Sequence, residues 1–133
     1  MFRVVIAAGL IAAVVPATAG DFRRFTTTQK DARYAGSLPG CASSYQAQQT
    51  SDGFVAVKSA PDLKSPRVDK LRGGDIVTVC DVHGDWLAIV YNAQHTGAEA
   101  RCDHDGQTID RPNYKPGCFA GWVNRRYMTP FSD

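Results

Sequence analysis

The chain has 133 residues, with 15 lysines and arginines against 13 aspartates and glutamates, so its formal net charge at pH 7 is +2. Charges of both signs alternate along the chain, and no stretch has the run of basic residues that nucleic-acid-binding proteins use to contact phosphates. This composition argues against a nucleic-acid partner, and the length suits one small domain.

The first 19 residues have the pattern of a cleavable secretory signal peptide. Arg3 supplies a positive charge, and an apolar run follows at 4–15. Ala17-Thr18-Ala19 matches the small-x-small pattern of a cleavage site, so we expect cleavage after Ala19. The apolar run is too short to span a bilayer, which takes about 20 residues. We therefore predict a periplasmic or secreted protein with no integral membrane segment after cleavage.

Four cysteines remain after cleavage: Cys41, Cys80, Cys102 and Cys118. An even number of cysteines in an oxidising compartment predicts two disulfides. A zinc site would need closely spaced cysteine pairs, and the chain has none. The cysteines therefore indicate disulfides and not a metal site.

The mature chain divides into a leader and a domain. Residues 20–40 are polar and mixed, with no helical or strand period, and predict a flexible leader. Residues 41–133 are predicted to form the domain, with a core at 53–131. A long polar insertion is predicted inside it at 92–118.

From Gly53 onward, short β-rich runs alternate with turn signals. Two of these runs, joined by His83-Gly84-Asp85, predict a hairpin over residues 75–91. The pattern predicts strands at 54–57, 68–71, 75–82, 86–91, 121–123 and 128–131, with a 3₁₀ turn at 124–127. With no convincing helix, the pattern predicts an all-β fold, either a small barrel or a sandwich.

The cysteine positions suggest a pairing. Insertion 92–118 leaves the predicted sheet and returns to it, so its two ends must lie close together. We therefore predict a Cys102–Cys118 disulfide, which would hold the insertion in place. The pair Cys41–Cys80 then follows by elimination and would attach the end of the leader to a strand. The alternative, Cys41–Cys118 with Cys80–Cys102, stays open at this point.

Four segments of the chain read FVAVKSAP, LRGGDIVTV, GDWLAI and GWVNRRY, at residues 54–61, 71–79, 84–89 and 121–127. In this order and spacing they resemble the bacterial SH3 domains. The cysteines and the VCD at 79–81 are similar to those of an exported subgroup. Ala56 and Lys58 stand where that family usually has Asn and Arg. The resemblance implies an SH3-like barrel of five or six short strands with a disulfide-tied insertion.

The same resemblance implies a non-catalytic binding module. In larger proteins such domains often accompany cell-wall peptidases and amidases, which they target to peptidoglycan. We therefore expect a cell-wall glycopeptide as the ligand. An adaptor or inhibitor that docks on another exported protein is the alternative, and a small cell-wall hydrolase is the third hypothesis.

Aromatic side chains are the candidate ligand contacts, because they combine a flat apolar surface with a polar group. The candidates are Trp86, Tyr91, Tyr114, Trp122 and Tyr127. On its strand, Trp86 faces away from Leu87 and Ile89, which makes it the best surface candidate. Trp122 is expected in or near the core, and Tyr114 lies in the insertion.

No residue pattern indicates catalysis, a metal or a cofactor. A cysteine hydrolase would need a free thiol, which two disulfides would leave unavailable. Asp103-His104-Asp105-Gly106 hints at a calcium loop, but Arg101 and Pro112 occupy the positions where an EF-hand has carboxylates. The three histidines are predicted to be solvated residues in a turn and in the insertion: His83, His95 and His104.

Overall fold

The computed structural model describes residues 22–27, 29–30, 37–38, 41, 43–92, 102 and 107–131. The predicted signal peptide and the candidate calcium loop lie outside these described residues, as do His95 and His104. Within the described ranges, no helix has the length and apolar character needed to cross a membrane.

The regular secondary structure of the described residues consists of β-strands and one 3₁₀ turn, so the predicted all-β class is confirmed. The strands are β1 (Phe25–Thr26), β2 (Gln29–Lys30), β3 (Ser37–Leu38), β4 (Ser43–Ala47), β5 (Val55–Lys58), β6 (Arg67–Leu71), β7 (Ile76–His83), β8 (Trp86–Asn92), β9 (Thr108–Ile109), β10 (Cys118–Asn124) and β11 (Met128–Pro130). The 3₁₀ turn, Arg125–Tyr127, connects β10 to β11.

Seven strands form one antiparallel sheet in the order β11-β4-β7-β8-β10-β5-β6. The predicted hairpin is present as β7 and β8, with a bulge between Val79 and Asp81. Strands β6 and β11 lie at the two edges, and the sheet does not close between them. The remaining short strands form the pairs β1-β9 and β2-β3.

Strand β4 precedes the predicted core, which was expected to begin at residue 53. Its sequence, SSYQA, has no β-branched residue that would indicate a strand. It forms one because it pairs with β7 on one side and with β11 on the other. The sheet therefore begins ten residues earlier in the chain, at Ser43.

One face of the sheet packs against itself to form a core that we call the inner core. All seven strands contribute to it: Ala47, Val55, Val57, Leu71, Val77, Val79, Leu87, Ile89, Tyr91, Val123 and Met128. Because every strand of the sheet contributes to one cluster, the sheet is strongly curved around it. This burial of apolar surface is the main stabilising contribution that the sheet makes.

The opposite face of the sheet carries a second cluster, which we call the outer core. Its members are Phe22, Phe25, Cys80, Trp86, Ala88, Val90, Ile109, Ala120 and Trp122. Here β7, β8 and β10 supply the floor, while Phe22 and Phe25 from the leader cover it together with Ile109. The predicted alternation of β8 is confirmed, because Leu87 and Ile89 belong to the inner core and Trp86 to the outer core.

Residues 22–27 are part of the fold, which corrects the prediction of a flexible leader there. The Arg23 N–H donates a 2.8 Å hydrogen bond to the Ser59 carbonyl, and the Arg23 carbonyl accepts a 2.9 Å bond from Trp122 Nε1. Strand β1 pairs with β9. The cause is apolar: β8 is buried on both faces, so its outer face needs a cover that the sheet itself does not supply.

The structure contains the disulfides Cys41–Cys80 and Cys102–Cys118, which confirms the predicted pairing. The paired Cα atoms lie 4.4 Å and 5.7 Å apart, respectively. The first disulfide links the chain before β4 to the bulge in the middle of β7. The second links the insertion to the start of β10. Two disulfides indicate an oxidising compartment.

Candidate ligand-binding surface

The two tryptophans are both core residues. Trp86 has an exposed fraction of 9% and Trp122 of 1%. The predicted surface position of Trp86 is therefore wrong, because the face of β8 that points away from Leu87 and Ile89 is covered by a second core. Trp122 packs edge-to-face on Phe25, with ring centroids 5.6 Å apart. Neither indole presents a flat face to a ligand.

Tyr91 is also buried, and its hydroxyl donates a 2.7 Å hydrogen bond to Asp69 Oδ2. Burial, together with this hydrogen bond and the carboxylate charge, raises the pKa of the Tyr91 hydroxyl far above its ordinary value. The side chain therefore stays neutral and joins β8 to β6. It acts as a structural contact between strands.

The other two candidates lie apart in the fold. Tyr114 is half-buried and packs against the outer core. Tyr127, in the 3₁₀ turn, has an exposed fraction of 39%, and the Arg126 guanidinium lies 5.4 Å from its ring centroid. The five predicted aromatics thus do not form a shared groove, and Tyr127 is the most accessible of them.

A different aromatic side chain, Phe54, lies at the centre of an accessible cluster. The Arg67 guanidinium lies 5.2 Å from its ring centroid and the Lys70 ammonium 4.9 Å. Both distances are within the range of a cation–π interaction. Phe54 is half-buried, whereas Arg67 and Lys70 are exposed. We call these three residues the cationic cluster.

Strands β5 and β6 position this cluster by their alternation. Val55 opposes Leu71, and both side chains enter the inner core. The intervening outer-face positions pair Ala56 with Lys70 and Lys58 with Arg67. Strand β6 is an edge of the sheet, so no further strand lies beside this cluster.

The loop between β5 and β6 is held by hydrogen bonds. Lys58 Nζ donates to the carbonyls of Leu63 and Ser65, at 3.2 Å and 3.3 Å. Asp62 Oδ1 accepts from the backbone N–H groups of Lys64 and Ser65, at 2.7 Å and 2.9 Å. This ordered loop exposes Leu63, whose exposed fraction is 75%.

The β5–β6 hairpin has an uneven charge distribution. Its two carboxylates already accept hydrogen bonds within the fold, the exposed Asp62 from the loop backbone and the half-buried Asp69 from Tyr91. Its cations project outward: Lys64, Arg67, Lys70 and Arg72 are all exposed. Within the described ranges, neither head group of the cationic cluster forms an ion pair. The surface is therefore complementary to an anion.

The two disulfides restrict the chemistry of the cysteine side chains. All four cysteine sulfurs are bonded, so none is available as a thiolate nucleophile. In the described part of the chain, no group of three or more His, Cys, Asp or Glu side chains is placed to hold a metal ion.

Comparison of the chain with family models, with curated proteins and with solved structures finds no match.

Phe54, Arg67 and Lys70 are not among the predicted ligand contacts, which were tryptophans and tyrosines only. A signal was present: two predicted strands, 54–57 and 68–71, are joined by a ten-residue segment with turn signals at Pro61 and Pro66. Antiparallel pairing of those strands would bring Phe54 and the basic residues to one hairpin. Their distance from one another along the chain concealed the cluster.

Proposed function

We propose that the protein is a non-catalytic exported binding module, built on an SH3-like barrel, that recognises cell-wall glycopeptide. The four SH3-like sequence segments support the barrel, because they fall on neighbouring strands of a single sheet. The first three cover β5, the end of β6 with β7, and the β7–β8 hairpin. The fourth covers β10 and the 3₁₀ turn, and β10 pairs with both β8 and β5.

The observation that carries the binding role is the cationic cluster on the outer face of the hydrogen-bonded β5–β6 hairpin. Phe54 offers an apolar ring, and Arg67 and Lys70 offer hydrogen-bond donors beside it. Sugars and peptides bind to such surfaces through flat apolar contact together with directed polar contacts. A surface of this kind binds a ligand and needs no nucleophile.

Sedimentation with purified peptidoglycan tests the proposal. The mature protein, with both disulfides intact, is mixed with insoluble peptidoglycan and centrifuged, and cellulose serves as a neutral glycan control. We expect the protein to pellet with peptidoglycan and to stay in solution with cellulose. Folded protein that remains in the supernatant with both materials would reject a cell-wall ligand.

The same samples test the non-catalytic role. The supernatants are analysed for soluble muropeptides after long incubation. We expect none above the level released from peptidoglycan alone. Muropeptides that accumulate in proportion to the protein concentration would show that the chain is a hydrolase.

A further inference from the structure

We propose that the cationic cluster, Phe54, Arg67 and Lys70, is the ligand site and that it binds carboxylate groups of the peptide stems of the glycopeptide. This inference rests on the proposed cell-wall function and assigns the face and the chemical group through which that function operates. It places the site on the β5–β6 hairpin and not on the tryptophan-rich face.

The cost of ordering two long side chains is one reason to place the ligand here. Free lysine and arginine side chains lose rotamer entropy when a ligand fixes them. Here both head groups already contact one half-buried ring. Because Phe54 holds them before any ligand arrives, binding has less entropy to lose.

The donor geometry of the two cations is a second reason. The Arg67 guanidinium lies beside the ring and carries planar N–H donors that can form a fork with a carboxylate. An ammonium supplies a second, compact charge. Since neither head group has an ion pair in the described part of the chain, a ligand carboxylate would displace water and no protein partner.

The charge of the β5–β6 hairpin favours one chemical class of ligand. The hairpin's own carboxylates are already bonded internally, so an incoming anion meets cations on its outer face. Glycan hydroxyls are neutral and would gain little from this charge, whereas peptide stems carry carboxylates. The Phe54 ring can contact the apolar part of the same stem. Charge complementarity therefore favours the peptide over the sugar.

The test compares matched variants in peptidoglycan sedimentation. In R67Q/K70Q both cluster charges are neutralised, while in K64Q an exposed charge on the same hairpin is removed, away from the Phe54 ring. A third variant, Phe54→Leu, keeps an apolar side chain and removes the aromatic face. We expect binding to weaken about tenfold or more in R67Q/K70Q, several-fold in Phe54→Leu, and little in K64Q.

A second arm leaves the protein unchanged and alters the ligand. Peptidoglycan whose carboxylates have been converted to amides should lose most of its binding to the wild-type protein. Peptidoglycan stripped of phosphate-bearing polymers should keep it. Because this arm uses the wild-type chain, it does not depend on the folding of any variant.

The outcomes separate the two proposals. Wild-type protein that fails to bind any peptidoglycan would reject the proposed function itself. If R67Q/K70Q binds as well as the wild type, this site is rejected while the proposed function stands. If the wild type binds amidated peptidoglycan as well as the untreated material, the carboxylate assignment is rejected. Binding lost when phosphate polymers are removed would show that the anion is a phosphate and would overturn the carboxylate assignment.

Discussion

At the scale of single residues, the indole N–H of Trp122 links the sheet to the leader. It donates to the Arg23 carbonyl at 2.9 Å from a side chain with an exposed fraction of 1%. The bond is partly buried, so its loss should cost about 1 kcal/mol, the usual net contribution of a protein hydrogen bond. Trp86 forms no such bond within the described ranges, although it lies in the same cluster.

The substitution Trp122→Phe should therefore destabilise the fold more than Trp86→Phe does. Both changes remove a similar volume, but only the first removes the donor of the partly buried hydrogen bond to the Arg23 carbonyl. We expect a difference of about 1 kcal/mol in the free energy of unfolding, measured by urea denaturation. Equal losses would mean that the Trp122–Arg23 bond does not contribute to stability.

The Tyr91 hydroxyl should make the stability of the fold decrease at alkaline pH. Its pKa in the folded state lies well above the value of about 10 in an unfolded chain, mainly because the side chain is buried. Below pH 10 both states hold the proton. Above pH 10 the unfolded state releases it and the folded state does not, so stability falls as pH rises.

For the wild type, this group should lower the free energy of unfolding by up to about 1.4 kcal/mol per pH unit above pH 10. The variant Tyr91→Phe lacks the titrating group and should start from lower stability, because Asp69 loses its donor. We expect the stability gap between the two proteins to narrow between pH 9.5 and about 11.5, measured by denaturation at each pH. A constant gap would contradict the assignment.

At the scale of elements, the leader acts as the cover of the outer core. Phe25 packs on Trp122, and the ring centroid of Phe22 lies 6.4 Å from that of Phe25. Strand β1 is only two residues long, so its two ladder positions contribute less than the burial of its aromatic side chain. Packing rather than pairing therefore holds this segment in place.

Phe25→Ala should lower the free energy of unfolding by about 3 kcal/mol, the lower end of the range for a buried phenylalanine. Its neighbour Arg24 is exposed, so Arg24→Ala is a matched control with an expected change within about 0.5 kcal/mol. Urea denaturation of both variants measures this. Two near-neutral substitutions would show that residues 22–27 are not packed on the sheet.

At the scale of the whole molecule, the two disulfides connect segments that the sheet alone would leave loosely attached. Cys41–Cys80 joins residues 39 apart in the chain, and Cys102–Cys118 joins residues 16 apart. In the chain-entropy model, a longer closed loop restricts the unfolded chain more strongly. Cys80 is also fully buried in the outer core, beneath the leader.

The double variant C41A/C80A should lose about 4 kcal/mol of unfolding free energy, against about 3 kcal/mol for C102A/C118A. Both are measured by urea denaturation without reductant. The second variant should keep the near-ultraviolet signature of the tryptophans, because its disulfide lies in the insertion. A larger loss in C102A/C118A would show that the insertion contributes more than loop entropy predicts.

Local sequence pattern was enough to determine the all-β class and the β7–β8 hairpin, and it favoured the cysteine pairing that the structure contains. Period-two alternation at Leu87 and Ile89 assigns those residues to one face, because successive side chains of a strand point in opposite directions. The pairing of Cys102 with Cys118 followed from an excursion that must return to the sheet. Each of these features depends on residues close together in the chain, whereas Cys41–Cys80 joins residues 39 apart and was predicted only by elimination.

Only the tertiary structure decided which faces are covered. Alternation places Trp86 opposite Leu87, yet it does not say whether that second face meets water or another segment. Phe22 and Phe25 cover it from a leader whose sequence shows no strand period, and the polar strand β4 exists because β7 and β11 flank it. Burial depends on contacts between residues far apart in the chain, and local periodicity contains no information about them.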